Sequence, residues 1–368
     1  MKQCFLVCAL TIGLLAPAYH ADAQALTPAQ LALKAKVEGV PDIPYEAVPN
    51  FLKLPDDLYF GESVGVATNS KGHTFVYDRG HQTRIFEFDQ TGKFLHFVGE
   101  GLYGLVFAHV LRVDPQDNLW AVDEGSNMIM KFNPEGRITM VMGRRPESHG
   151  LLVTPPNGAP EPPARPYEFN RPTDVAWDAA GNIYVSDGYG NARVVKYDKN
   201  GRFIRAFGDH GKEPGQFNTP HSMAADAKGN VYVADRGNKR IQVLDSDLTL
   251  RAIFDNVGVP WAVCITPGPH QYLYSSNSNP NNSSPAINAV SGEVYKMELD
   301  GTVVGKFGKG GKMPGEFTTI HEIDCRNDNE VTVAEITGWR VQRFKLYPKA
   351  QAASKEKRKR NLAVWKMP

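Results

Sequence analysis

Two consecutive stretches of the chain repeat one order of apolar and polar positions. The first reads Arg171-Pro172-Thr173-Asp174-Val175-Ala176, then Gly181-Asn182-Ile183-Tyr184-Val185-Ser186-Asp187, then Asn191-Ala192-Arg193-Val194. The second reads Thr219-Pro220-His221-Ser222-Met223-Ala224, then Gly229-Asn230-Val231-Tyr232-Val233-Ala234-Asp235, then Asn238-Lys239-Arg240-Ile241. Short alternating runs cut by Gly, Asn and Asp predict small antiparallel sheets. Repetition at roughly 40–50 residues predicts propeller blades. Aligning innermost-strand starts gives Val64, His109, Thr173, His221, Trp261 and His321. The expected fold is therefore all-β, a six-bladed β-propeller of four-stranded antiparallel blades over residues 61–347. Residues 24–60 carry few marks of the repeat. Within them, 45–54 is expected to supply the outer strand that closes the last blade, because a propeller must hide its free edges.

Two spacings between blades are long. Residues 146–172 hold eight prolines, too stiff and too poor in N–H donors for a sheet. Residues 277–289 are rich in Asn, Ser and Pro. Both read as surface insertions, and long loops on a rigid scaffold often shape a ligand site.

The N-terminus changes the expected address. Lys2, an apolar core over 5–15 and Ala21-Asp22-Ala23 before Gln24 read as an export signal over 1–23. That core is too short for a membrane span, so a soluble periplasmic or secreted monomer is expected. Formal net charge is +1, which gives no whole-molecule attraction to nucleic acid. The basic tail, 348–368, reads as a solvated end. Cys4 and Cys8 leave with the signal. Cys264 and Cys325 remain, on inner strands of neighbouring blades at different offsets, and whether they pair stays open.

Three of the ten histidines share one place in the repeat. His109, His221 and His321 open the innermost strands of blades two, four and six, about 120° apart around the axis of a six-fold ring. Their imidazoles are expected to converge on one point, the arrangement of a three-histidine zinc site with an open position. The bland alternative is hydrogen-bonded histidines lining a wet channel. At the same end, where second strands return beside the starts of inner strands, stand Arg79, Arg236 and Tyr189. Two guanidiniums suit a small-molecule or peptide substrate with a carboxylate. A phenol near a cation can act as a base. Arg84, Arg193, Arg240 and Arg340 recur inside the repeat and are expected to be structural.

These motifs resemble a known family. The repeat is similar to NHL-type propellers. Arg171-Pro172-Thr173-Asp174-Val175-Ala176, Val185-Ser186-Asp187-Gly188-Tyr189, Pro214-Gly215-Gln216-Phe217 with Pro220-His221-Ser222, and Val233-Ala234-Asp235-Arg236 resemble the peptidyl-α-hydroxyglycine α-amidating lyases. The resemblance implies zinc on His109, His221 and His321, an active-site tyrosine at Tyr189 and two arginines at Arg79 and Arg236. It also implies a structural calcium at Val66, Leu111 and Glu322, the first two through backbone carbonyls. The implied reaction cleaves the C–N bond of a C-terminal α-hydroxyglycine, giving an amide and glyoxylate.

This chain departs from the family pattern in places. It has Glu322 for Asp, Ile320 for Met and Ala108 for Pro, and the family's two disulfides have no counterpart at Gly190, Tyr232 or Val243. Nothing in the sequence reads as the copper monooxygenase domain of the bifunctional animal enzymes. Two other readings stay open. One is a non-catalytic exported propeller that binds a peptide or protein. The other is a different metal-dependent propeller hydrolase such as a lactonase, although such enzymes usually hold calcium through Asp, Asn and Glu, and imidazole suits zinc better.

Overall fold

The alternating runs fold as their period dictates. The computed structural model describes residues 39–145, 164–278, 291–327 and 329–347. Among these residues, six four-stranded antiparallel sheets account for the strands, and the single short helix is a 3₁₀ turn at Arg236–Asn238. Inner strands are Ser63–Thr68, Ala108–Val113, Asp174–Trp177, Pro220–Ala225, Val263–Ile265 and Ile320–Asn327, for blades one to six in order. The expected export signal at 1–23 and the tail from 348 lie outside the described residues. So do 146–163 and 279–290, which make up most of the two insertions.

The repeat marks have mechanical jobs. Asp114, Asp178 and Asp226 each accept backbone N–H bonds from residues two and four further on, and so fix the turn from inner to second strand. Arg193 binds Asp187 at 3.0 Å, Arg240 binds Asp235 at 2.7 Å and Arg340 binds Glu335 at 2.8 Å, so these three arginines are structural. Arg84 departs from the pattern. Its guanidinium contacts the Gln82 side chain and lies 4.9 Å from the centre of the Phe97 ring.

The last blade takes its outer strand from the other end of the chain. Tyr45–Ala47 pairs antiparallel with Arg340–Leu346, a shorter strand than 45–54. The Tyr45 ring packs 5.5 Å from Phe307 and 5.8 Å from Phe344, and its hydroxyl donates to the Gly315 carbonyl at 3.0 Å. This seals the ring and removes an open edge.

Cys264 and Cys325 are joined in a disulfide between blades five and six. A bulge reconciles their different offsets. Between the pairs Asp324↔Thr332 and Asn327↔Glu330, Cys325 and Arg326 stand opposite Val331 alone. Cys325 stands inside this bulge, which re-aims its side chain relative to a regular pleat.

Closure at Tyr45 has a measurable consequence. Tyr45→Ala removes a packed ring and a hydrogen bond, and is expected to lower unfolding free energy by about 2 kcal/mol. Denaturant titration followed by circular dichroism checks it; an unchanged midpoint would mean that this strand does not hold the ring closed.

Candidate metal centre

The inner strands do more than line the axis; they bulge where the histidines stand. Pairing runs Ala108↔Asp123 then Val110↔Val122, Pro220↔Asp235 then Ser222↔Ala234, and Ile320↔Glu335 then Glu322↔Ala334. His109, His221 and His321 are the extra residues of these three bulges. A bulge re-aims a side chain that a regular pleat would send elsewhere. Here all three rings turn to the axis, with centroids 4.6, 4.6 and 4.8 Å apart.

Hydrogen bonds then fix each ring's tautomer. His109 Nδ1 donates to the Thr173 carbonyl at 2.6 Å, His221 Nδ1 to Trp261 at 2.7 Å and His321 Nδ1 to Val64 at 2.7 Å. Each acceptor is the residue at the same offset in the next blade. A carbonyl can only accept, so the proton sits on Nδ1 and the lone pair on Nε2. The three side chains are buried, and burial holds all of them well below the usual histidine range, helped by Arg236 and, for His109 and His321, by Arg79. Nε2 of His109 and of His221 is buried with no hydrogen-bond partner. Ligand atoms from the three residues lie within 4.8 Å of one another. Neutral imidazoles with orphaned lone pairs, their other nitrogens tied to carbonyls, fit a zinc-type ion.

The expected second set stands over this cluster. The Tyr189 ring is 5.6 Å from His109 and 6.0 Å from His221. Arg236 reaches the Tyr189 hydroxyl at 3.4 Å, and its guanidinium rests 4.2 Å above the Trp261 ring. Arg79 pairs with Glu62 at 2.7 Å, not with the adjacent Asp78, and stacks 4.1 Å over Phe107. Burial pushes the Tyr189 phenol above its ordinary value, and Arg236 pulls it back. Charge from the arginines therefore does not by itself turn this phenol into a base. Positive charge added at the imidazoles would act in the same direction as Arg236.

Sequence reasoning missed several partners. Arg171, at the described end of the first insertion, lies 4.4 Å from the centre of the Tyr189 ring and is held by Glu124. Trp261 was legible only as a non-histidine position, not as a platform for Arg236. Arg171 opens one of the resembling motifs, but nothing in the motif marks its contact with Tyr189. Both contacts arise from side chains of different blades meeting at one end of the ring.

Val66, Leu111 and Glu322 are together but are not arranged as a calcium cage. Glu322 Oε2 accepts the backbone N–H of Val66 at 2.9 Å and of Leu111 at 3.2 Å, and Arg112 Nε stands 3.3 Å from Oε1. Calcium needs oxygen donors. Here N–H groups and a guanidinium face the carboxylate, and these donors do not fit calcium.

Buried neutral imidazoles make stability depend on pH. In the unfolded chain they protonate below about pH 6.5, whereas in the folded metal-free chain they resist it. Stability is therefore complete above that pH and falls as the unfolded state gains protons. Melting temperature of the metal-free protein should drop from pH 7 to 5, and His321→Asn should make that slope shallower. An equal slope in the variant would contradict the assignment.

The comparisons agree with this geometry at the level of family likeness. The NHL repeat profile matches residues 169–197 and 217–244, the two stretches that first revealed the repeat. Peptidyl-alpha-hydroxyglycine alpha-amidating lyase 1 of Drosophila melanogaster is 28% identical over 293 residues, 73% of this chain and 50% of its own length. This chain thus spans half of that relative. NHL repeat-containing protein 3 of Mus musculus is 29% identical over 304 residues, 78% of this chain and 80% of its own. Among solved structures, a gluconolactonase from Xanthomonas campestris superposes with a TM-score of 0.54 at 15% identity, over 78% of this chain and 87% of its own, a likeness of fold alone. Among the described residues no helix is long and apolar enough to cross a membrane. Repeat, blade architecture and sequence likeness together make this chain an NHL-repeat six-bladed propeller that resembles the peptidyl-α-hydroxyglycine α-amidating lyases.

Proposed function

We propose that this chain is a zinc-dependent lyase of the amidating type, which cleaves a C-terminal α-hydroxyglycine into an amide and glyoxylate. The observation that carries the reading is the set of three neutral, tautomer-fixed imidazoles under a phenol flanked by guanidiniums. His109, His221 and His321 would hold the ion, which supplies Lewis-acid polarisation of substrate oxygens when bound. Arg79 and Arg236 bind the substrate carboxylate and neutralise charge that develops beside it. Tyr189 takes the proton of the α-hydroxyl as the C–N bond breaks and the aldehyde C=O forms. That proton returns to the departing nitrogen, so the reaction needs no oxidant or reductant. Arg171 and Arg236, both in contact with the Tyr189 ring, keep it in place.

A cleft of about 470 Å³ opens beside Arg79, lined by His81, Gln82, Arg84 and Glu100 as well as by Leu102, Leu105 and Phe107. It would take a part of the substrate beyond the carboxylate. The buried disulfide supports an exported, oxidising location.

A second reading is a propeller that binds a partner without chemistry, since the chain is also similar to NHL repeat-containing protein 3, whose name states no activity, and fold does not fix function. The lactonase reading rests on the gluconolactonase likeness, which concerns fold only. Glyoxylate release from α-hydroxyhippurate, followed on zinc-loaded full chain, separates the lyase reading from the other two. Tyr189→Phe and Arg79→Ala are each expected to lower kcat/KM by about 100-fold or more. Unchanged rates would remove these roles, and no glyoxylate from the wild-type protein would remove the lyase reading.

A further inference from the structure

One layer below the imidazoles the hub carries a second polar cluster. Arg112 enters it from blade two with only 13% of its side chain exposed. Its Nη2 donates to Asp174 Oδ2 at 2.6 Å and its Nε to Oδ1 at 3.0 Å, a two-pronged grip on blade three. The same Nη2 lies 3.1 Å from Ser222 Oγ on blade four and 3.4 Å from the Val263 carbonyl on blade five. Nε also stands 3.3 Å from Glu322 Oε1 on blade six. The other oxygen of Glu322 takes the Val66 N–H of blade one. One connected network thus visits every blade, with a single guanidinium at its centre.

We infer that Arg112 is the resident hub cation of this propeller, standing in for the divalent ion that the family resemblance implies, so that the ring closes without calcium. Three features carry this. Both oxygens of Asp174 are already committed to donors, with Met223 N and Ser222 Oγ adding to those of Arg112. Glu322 Oε2 is already satisfied without an ion, since it accepts the backbone N–H groups of both Val66 and Leu111. And a fixed positive charge beside Glu322 would repel a second cation. Planar geometry and five donors let one guanidinium reach several blades at once, as a compact ammonium could not. Glu322 Oε1, which has no hydrogen bond, is the single loose end, and the guanidinium faces it.

The test uses full-length protein loaded with zinc, dialysed against buffer with or without millimolar calcium. Elemental analysis should find no stoichiometric calcium, and the two samples should melt within about 1 °C of each other. One calcium per chain, or a melting temperature several degrees higher with calcium, would overturn the inference. Arg112→Met leaves two buried carboxylates unpaired, so its melting temperature should fall by at least about 5 °C, with Arg112→Lys falling less. A methionine variant that melts with wild type would also overturn it. Should that variant fail to fold, the wild-type calcium measurement decides alone. Neither arm reads zinc or glyoxylate, so this inference can fail while the lyase reading stands.

Discussion

Buried polar atoms on the axis of a closed ring must find partners in other blades, because water is largely excluded there. That constraint organises the hub. In the upper layer each imidazole gives its Nδ1 proton to the carbonyl at the same offset one blade on. Three such bonds link blades two with three, four with five, and six with one. They leave Nε2 of His109 and of His221 buried with no hydrogen-bond partner, beside the third ring. In the lower layer satisfaction is more complete, through Arg112, Asp174, Ser222 and Glu322. The two layers use opposite strategies, an internal cation below and lone pairs awaiting one above.

Placement of the chemistry follows from the same ring. Bulges at the histidines aim them inward. Second strands bring Arg79, Tyr189 and Arg236 back to the same end. Trp261 and Phe107 give the guanidiniums flat faces to rest on. A guanidinium stacked on a ring and bound at one edge keeps little freedom, which suits a site that must hold a carboxylate in one orientation.

Much of the fold was legible because a period is a property of side chains. Gly-Asn and Asp at fixed offsets located the turns, and the histidine offsets located the hub. What stayed hidden involves the backbone or contacts between blades. Carbonyls of Val64, Thr173 and Trp261 carry no residue identity, so the partners of the imidazoles could not be read. The bulge that holds Cys325, bonded to Cys264, is an extra residue in a strand, invisible without a pairing register. Arg112 did leave a sign: a charged residue in the run Ala108-His109-Val110-Leu111-Arg112-Val113, where an inner strand should be apolar.

Everything functional in this account depends on the three imidazoles sharing one ion. Cobalt(II) titrated into metal-free full-length protein reports this directly, because a low-symmetry site with nitrogen ligands gives visible ligand-field bands. The account predicts bands that grow to saturation at one equivalent and vanish in His221→Ala. A flat spectrum, or one that His221→Ala leaves unchanged, would contradict it.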